Sequence, residues 1–249
     1  MTDANATLPT GPVTGRLSRL AIWAAILTLV IVLLPMLLFR LGFGFQFMLL
    51  MVGFFVSIAA VALAVAALVR AFMKSQRKAT PLLALVTSGI VAVLMLGLAS
   101  AGRSAPPIHD ITTDTNNPPA FVAAVAEREG SPNPVDYDPA VAAQQQEAYA
   151  DIRTLTLPST TPGEAFRRAQ DLIQARGWDL IEANAAEGRL EATATSRWFG
   201  FKDDVVLRIQ PDGAGGSLVD MRSKSRMGRS DLGANAARIR SFLGDLEAG

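Results

Sequence analysis

The stretch RSKSRMGRSDLG, residues 222–233, holds the most concentrated charge chemistry of this 249-residue chain. Arg222, Lys224 and Arg226 recur at every second position, so on a β-strand they project from one face. Arg229 and Ser230 follow and lead into a segment with a helical repeat. The first N–H groups of a helix lack partners and its dipole is positive there, so anions are held at such ends. Arg222, Arg226, Arg229 and Ser230 are therefore the candidate ligands of a phosphate-like anion. A structural reading competes with it: Ser230 or Asp231 caps the helix, and the arginines pair with acids. Residues 103–221 carry eighteen acids against ten bases, so partners abound.

Three other groups invite a chemical reading. Asp203-Asp204 and His109, the only histidine, are the residues to test for carboxylate or metal-assisted hydrolysis. Adjacent strand residues point to opposite faces, however, so the two carboxylates diverge where catalysis at one centre needs convergence. His109, Asp110 and Asp114 could seed an oxygen-rich metal site, but their spacing fits neither an EF-hand nor a zinc motif. Trp198, Phe199 and Phe201 bracket Gly200 and suit either sheet packing or the wall of an apolar pocket. Cysteine is absent, which removes disulfides, thiolate ligands and cysteine nucleophiles together. No catalytic residue, resident metal or cofactor is assigned on these patterns.

The elements that must position these residues fall into two unlike halves. Half of the residues are hydrophobic and mean hydropathy is positive. Residues 1–100 carry seven Lys/Arg and one acid, a charge of +6; residues 101–249 carry sixteen against twenty-one, a charge of −5. Three charge-free apolar runs, about 20–39, 47–69 and 82–100, each reach the roughly 20 residues needed to cross ~30 Å of hydrocarbon. The first is too long for the apolar core of a signal peptide and lacks a small-residue cleavage pattern. Gly53, Ser57, Ala60, Ala64 and Ala67 form a small-residue stripe on the second run, matched by Ala84, Ser88 and Ala92 on the third, as in an anchor bundle. No ionisable side chain within a span suggests transport. Arg16 and Arg19 precede the first span, and Arg70, Lys74, Arg77 and Lys78 fill the loop after the second. Both should face the cytoplasm, so everything after the third span is expected across the inner membrane, in a periplasm. The expected parts are a cytoplasmic tail 1–19, an anchor 20–100, a proline-rich arm 101–151 packed on the domain, and an extracytoplasmic α+β domain 152–249.

Within the last part, Pro118 and Pro119 could open a helix through Glu129, and Pro139 another through Ala150. Residues 152–158 form a short strand. TPGEAFRRAQDLIQARG then supplies Thr161 as N-cap, Pro162 at the first position, Glu164 for a capping box and Gly177 as stop. WDLIEAN and RLEATATS make a strand pair, with Leu180 on the face of Leu190 and Ala192. DDVVLRIQ and SLVDMRSKS flank PDGAGG, a hairpin. A register that pairs residues summing to 428 sets Leu207 opposite Met221, Arg208 opposite Asp220, and Asp204 opposite Lys224 as an ion pair. A helix from about 231 to 247 closes the chain, with Leu232, Ala236, Ile239, Leu243 and Leu246 facing the core. The β-α-β-β-β-β-α order predicts an antiparallel sheet with two helices on one face.

The outer part resembles the domain of unknown function 1499 family. HDITTD (109–114), Ala148-Tyr149 with Asp151-Ile152, Gly177-Trp178, RWFGFKDD (197–204) and VDMRSKSRMGRSDLGAN (219–235) carry the resemblance, over residues 105–247. Members often follow membrane spans or an export signal, which implies a membrane-anchored protein. The family implies no reaction, substrate or catalytic residue.

The leading expectation is thus a non-enzymatic, membrane-anchored periplasmic module that binds a ligand, a lipid or an envelope protein, with the lipid bilayer as its standing partner. The alternative is a carboxylate- or metal-dependent envelope hydrolase. Nucleic acid is an unsuitable partner for a net-acidic domain outside the cytoplasm.

Overall fold

The computed structural model describes residues 13–40 and 46–249. Residues 41–45 and most of the N-terminal tail lie outside the described residues. The chain divides into two compact units, 1–99 and 100–249.

The first unit contains three helices, α1 (Arg16–Arg40), α2 (Gln46–Met73) and α3 (Ala79–Ser104). All three are long and apolar enough to cross a membrane, over Arg16–Phe39, Met48–Met73 and Ala79–Ser100. Their packing uses the small residues. Ser57, Ala60, Ala64 and Ala67 of α2 and Ala84 and Ser88 of α3 are buried, and Ala21 and Ala25 of α1 join the same cluster. The hydroxyls among them return to their own helix: Thr28 donates to the Ala24 carbonyl at 2.9 Å and Ser88 to that of Ala84 at 2.7 Å. No hydroxyl of these two is then left unsatisfied in an apolar setting. Leu33, Phe55, Val69 and Leu94 point outward, the arrangement a hydrocarbon solvent favours.

The second unit is an α+β domain. Its elements are β1 (Asp110–Thr112), α4 (Ala124–Glu127), a 3-10 turn (Pro139–Val141), α5 (Ala142–Ala148), β2 (Leu155–Leu157), α6 (Pro162–Ala175), β3 (Asp179–Asn184), β4 (Arg189–Thr195), β5 (Lys202–Pro211), β6 (Ser217–Ser225) and α7 (Ala234–Ala248). One antiparallel sheet runs β1-β6-β5-β4-β3, and β2 lies on the same edge of β6 as β1, further along it. The β5–β6 register is the one the charge and hydrophobic patterns require, with Leu207 opposite Met221 and Arg208 opposite Asp220. β1 is the addition: Asp110–Thr112 reads in sequence as part of the arm but pairs with β6. The helix expected from Pro118 to Glu129 contracts to the four residues of α4.

Strand alternation gives the sheet two different faces. On one, Leu190, Ala192, Val205, Leu207, Val219 and Met221 meet Phe166, Ala169 and Ile173 of α6 and Ala236, Ile239 and Leu246 of α7. Two of the capping signals of α6 act as read: Thr161 Oγ1 accepts from the Glu164 N–H at 3.3 Å, and Pro162 occupies the first turn, while Glu164 takes part through its backbone N–H. Trp178 stacks on Phe242 with ring centroids 5.4 Å apart. Leu232 departs from the expected core stripe. α7 begins only at Ala234, and Leu232 stands exposed in the preceding turn. Alternation from Leu180 points Ile181 to the other face, where it packs with Phe121, Ala124 and Val206, and a bulge after Leu180 then brings Glu182 opposite Glu191. That second face carries the charges.

The β3–β4 turn has a tight closure. Gly188 has φ +64°, and a Cβ built there would overlap the Ile209 carbonyl oxygen, whose own residue donates to the Gly188 carbonyl at 2.8 Å. Gly213 has φ +82° but open space around its Cα. Gly213→Ala should therefore cost about 1–2 kcal/mol, the left-handed strain alone. Gly188→Ala should cost roughly 2–5 kcal/mol, because overpacking is added to that strain. Urea unfolding of the two variants separates these terms, and equal midpoints would contradict the close approach.

Candidate functional site

The charged face of the sheet is where sequence placed most of the candidate chemistry. Alternation puts Glu191 and Thr193 of β4, Asp204 and Arg208 of β5, and Asp220, Arg222 and Lys224 of β6 on it. Residues 113–138 cross this face and deliver partners. Arg128, following α4, donates to Asp204 Oδ2 at 2.7 Å and to the carbonyls of Lys224, Ser225 and Asn133. Arg226 reaches the same carboxylate, with Nη2 2.8 Å from Asp204 Oδ1, and Thr193 donates to it at 2.7 Å. Asp204 is fully buried and Arg128 is 2% exposed.

A second centre surrounds Asp110. Arg222 donates to both of its oxygens at 2.9 Å, and Lys224 Nζ lies 2.9 Å from Oδ2. The Arg222 guanidinium sits between the rings of Phe121 and Tyr137 and also donates to the carbonyls of Pro119 and Val135. Glu191 does different work: it accepts the N–H groups of Val122, Ala123 and Ala124 at 2.8–3.1 Å, holding the start of α4 to the sheet. On the flank, Asp220 accepts from Arg208, Thr113 and Thr154.

Burial sets the electrostatics. Desolvation pushes Lys224 below its ordinary value, opposed by the neighbouring Asp110 carboxylate. The same penalty lowers Arg128, opposed by its bonds to Asp204. Tyr137 is pushed up to about 12, first by burial and then by the charge of Asp110. These charges are neutralised by one another.

The four residues nominated for an anion are divided by this arrangement. Arg222 belongs to Asp110 and Arg226 to Asp204. The start of α7 is occupied by the chain's own carboxylate: Asp231 accepts from the N–H groups of Gly233 and Asn235, both at 2.8 Å. Burial raises the Asp231 carboxyl, and these backbone donors oppose the rise. Ser230 Oγ accepts from the Leu232 N–H, and Arg229 alone of the four is exposed. The expected Lys224–Asp204 ion pair is also corrected. The two are register partners, but Asp204 is taken by Arg128 and Arg226, and Lys224 turns to Asp110.

The remaining candidates separate similarly. Asp203 and Asp204 diverge, Asp203 meeting Arg238 of α7 at 2.6 Å on the helix face. Of the metal candidates, Asp110 is held by cations, and Asp114 by Arg208 and two backbone N–H groups. His109 contributes its carbonyl to Ser225 and Asn235. No group of three His, Cys, Asp or Glu side chains that could hold a metal occurs among the described residues. Trp198 is 68% exposed at the tip of the β4–β5 turn, and Phe199 stacks on Phe201 with centroids 5.5 Å apart. Trp198 is thus exposed, while Phe199 and Phe201 are half-buried in the same turn. A cleft of about 700 Å³ lies at the opposite end of the sheet, between the first turns of α6 and the β3–β4 turn. Phe166, Arg167, Gln170 and Glu187 line it, and none was nominated from sequence.

Magnitudes distinguish the buried pairs from the surface ones. Asp204→Asn should destabilise by about 3–5 kcal/mol, since Arg128 would stay buried without its counter-charge. Asp151 pairs with Arg240 in the open, at 58% and 43% exposure, and Asp151→Asn should cost less than about 1 kcal/mol. Denaturant midpoints measure both, and a mild loss for Asp204→Asn would deny it the role of an anchor.

Residues 110–246 match the family described as "Protein of unknown function (DUF1499)", and no curated protein matches the chain. That match spans more than half of the sequence and every strand and helix from β1 to α7, so the chain belongs to the DUF1499 family.

Proposed function

We propose that this protein is a membrane-anchored, non-catalytic binding module of the cell envelope, its α+β domain on the periplasmic side of the inner membrane. One observation carries the reading. Each of the five buried carboxylates among the described residues, Asp110, Glu191, Asp203, Asp204 and Asp220, is already engaged by a cation or by backbone N–H groups. A general base or nucleophile needs an oxygen free to meet substrate. Here those oxygens fasten the arm, the sheet and α7 to each other, which leaves the outer surface to do the work of recognition.

The basic segments around the first two spans support the orientation, since Lys and Arg are retained on the cytoplasmic side. Alkaline phosphatase fused after Gly249 should be active and a cytoplasm-dependent reporter silent. The reverse pattern overturns the periplasmic placement.

The binding reading has a separate test. Residues 101–249, purified and sprayed under native conditions, should retain a lipid or a small apolar ligand and carry no stoichiometric metal. Zinc or manganese bound at one per chain would replace this reading by a metal-dependent hydrolase.

A further inference from the structure

Three segments meet where β5 begins and β6 ends. The β4–β5 turn, 196–201, closes through the Ser196 N–H on the Phe201 carbonyl (2.8 Å) and the Phe201 N–H on Ser196 Oγ (2.9 Å). The Arg226 N–H bonds the Lys202 carbonyl at 3.0 Å, which ties the loop after β6 to that turn. The Asp231 N–H bonds the Ile108 carbonyl at 3.2 Å, and the Ser225 N–H that of His109 at 3.0 Å. The segment through which the chain enters the domain therefore lies at this same end.

This end combines exposed apolar and basic side chains. Trp198 is the most exposed large apolar side chain described in the domain, and Met227 and Leu232, on the segment after β6, are exposed as well. Leu232 adopts φ +56° in the turn that Ser230 and Asp231 hold. Arg197, Lys202 and Arg229 are exposed on the same two loops. The nearby acids are Glu127 and Glu129 on the arm, and Asp231, whose carboxylate is occupied by backbone N–H groups.

Covalent reach then selects the occupant. The third apolar span runs to Ser100, and Ser230 Oγ already bonds the Pro106 carbonyl. The six residue steps from Ser100 to Pro106 extend at most about 21 Å. The loop end is therefore tethered to the end of the third apolar span by only a few residues of chain. Tryptophan partitions to the boundary between headgroups and acyl chains, and arginine and lysine beside it meet lipid phosphates.

We propose that this loop end docks on the bilayer surface, with Trp198 and Met227 at the headgroup–acyl boundary and Arg197, Lys202 and Arg229 on anionic phospholipid headgroups. The proposal deepens the binding-module reading by naming its ligand as the membrane surface itself, and it rests on that reading. Docking fixes the domain at one height above the membrane and presents the opposite end of the sheet outward.

The absence of cysteine makes the test direct. Trp198→Cys, Met227→Cys and Ala214→Cys, the last in the turn at the far end of the sheet, are made in the full chain. Each is labelled with an environment-sensitive fluorophore and reconstituted in phosphatidylcholine vesicles, with and without phosphatidylglycerol. Labels at 198 and 227 should shift to the blue and be quenched several-fold more by lipid-borne nitroxide than the label at 214. Phosphatidylglycerol should increase that difference, and Arg229→Glu should reduce it. Labels at 198 and 227 that respond only to aqueous iodide, as at 214, overturn the proposal. So does quenching that requires two labelled copies and ignores lipid nitroxide, which would assign the end to a second chain. Either result leaves the native-spectrometry outcome for residues 101–249 standing, so the two readings fail independently.

Discussion

The bond between Arg128 and Asp204 is the constraint on which the domain depends. Asp204 lies in the middle of the sheet and is fully buried, so its charge must be answered by groups that come to it. Thr193 of β4 and Arg226 from the end of β6 supply part of the answer. Arg128 supplies the rest from a segment 76 residues earlier and, with the same guanidinium, closes the carbonyls of Lys224, Ser225 and Asn133. Asn133 in turn donates to the carbonyls of Ser225 and Gly228. A stretch that has almost no regular structure is thereby given one position over the sheet.

An apolar second face could have held that stretch with less desolvation. Replacing buried ion pairs by packed hydrophobic groups is often neutral or stabilising, so raw stability does not explain the charged layer. What the ions add is specificity. A bidentate Arg222–Asp110 pair fixes β1 against β6 in a single register, whereas three residues of strand alone would hold it weakly. Glu191 fixes the start of α4 by three N–H groups in a helix of only four residues. The same saturation that makes the layer specific also withdraws its carboxylates from solution chemistry.

The parts of this design that were legible in the sequence are those written locally. Alternation and opposite charges gave the β5–β6 register, because each residue's partner follows from a hairpin of known length. Capping residues gave α6, because Thr161, Pro162 and Glu164 act within one turn. The arm–sheet contacts were not legible. Nothing near Arg128 marks Asp204 as its partner, and the Lys224–Asp204 pair expected from register was displaced by cations arriving from elsewhere. The anion site read from Arg222 and Arg226 had the same origin: a basic run looks unpaired until Asp110, more than a hundred residues away, is brought beside it. One signal was available. A central strand whose outward positions are Asp220, Arg222 and Lys224 in succession needs either open water or a charged cover. The motifs that carried the family resemblance are largely these fasteners, HDITTD holding Asp110 and the 219–235 stretch holding Arg222, Lys224, Asp231 and Asn235. They identify a family while saying little of a reaction.

A centre whose buried carboxylates are all engaged moves the variable chemistry to the two ends of the sheet, and the ends are unlike. At one, the turn PDGAGG is organised by Asp212, whose carboxylate accepts the N–H groups of Ala214 and Gly216, and it presents small and polar residues. At the other, a tryptophan, a methionine and a leucine stand exposed among arginine and lysine, where the chain enters from its apolar helices. Trp198 stands exposed in a domain whose other aromatic side chains are buried or half-buried. A folded domain tolerates such a side chain most readily where water is not its working neighbour. The chain enters the domain at that end, where the carbonyls of Ile108 and His109 accept from Asp231 and Ser225, and lipid is the neighbour proposed for Trp198.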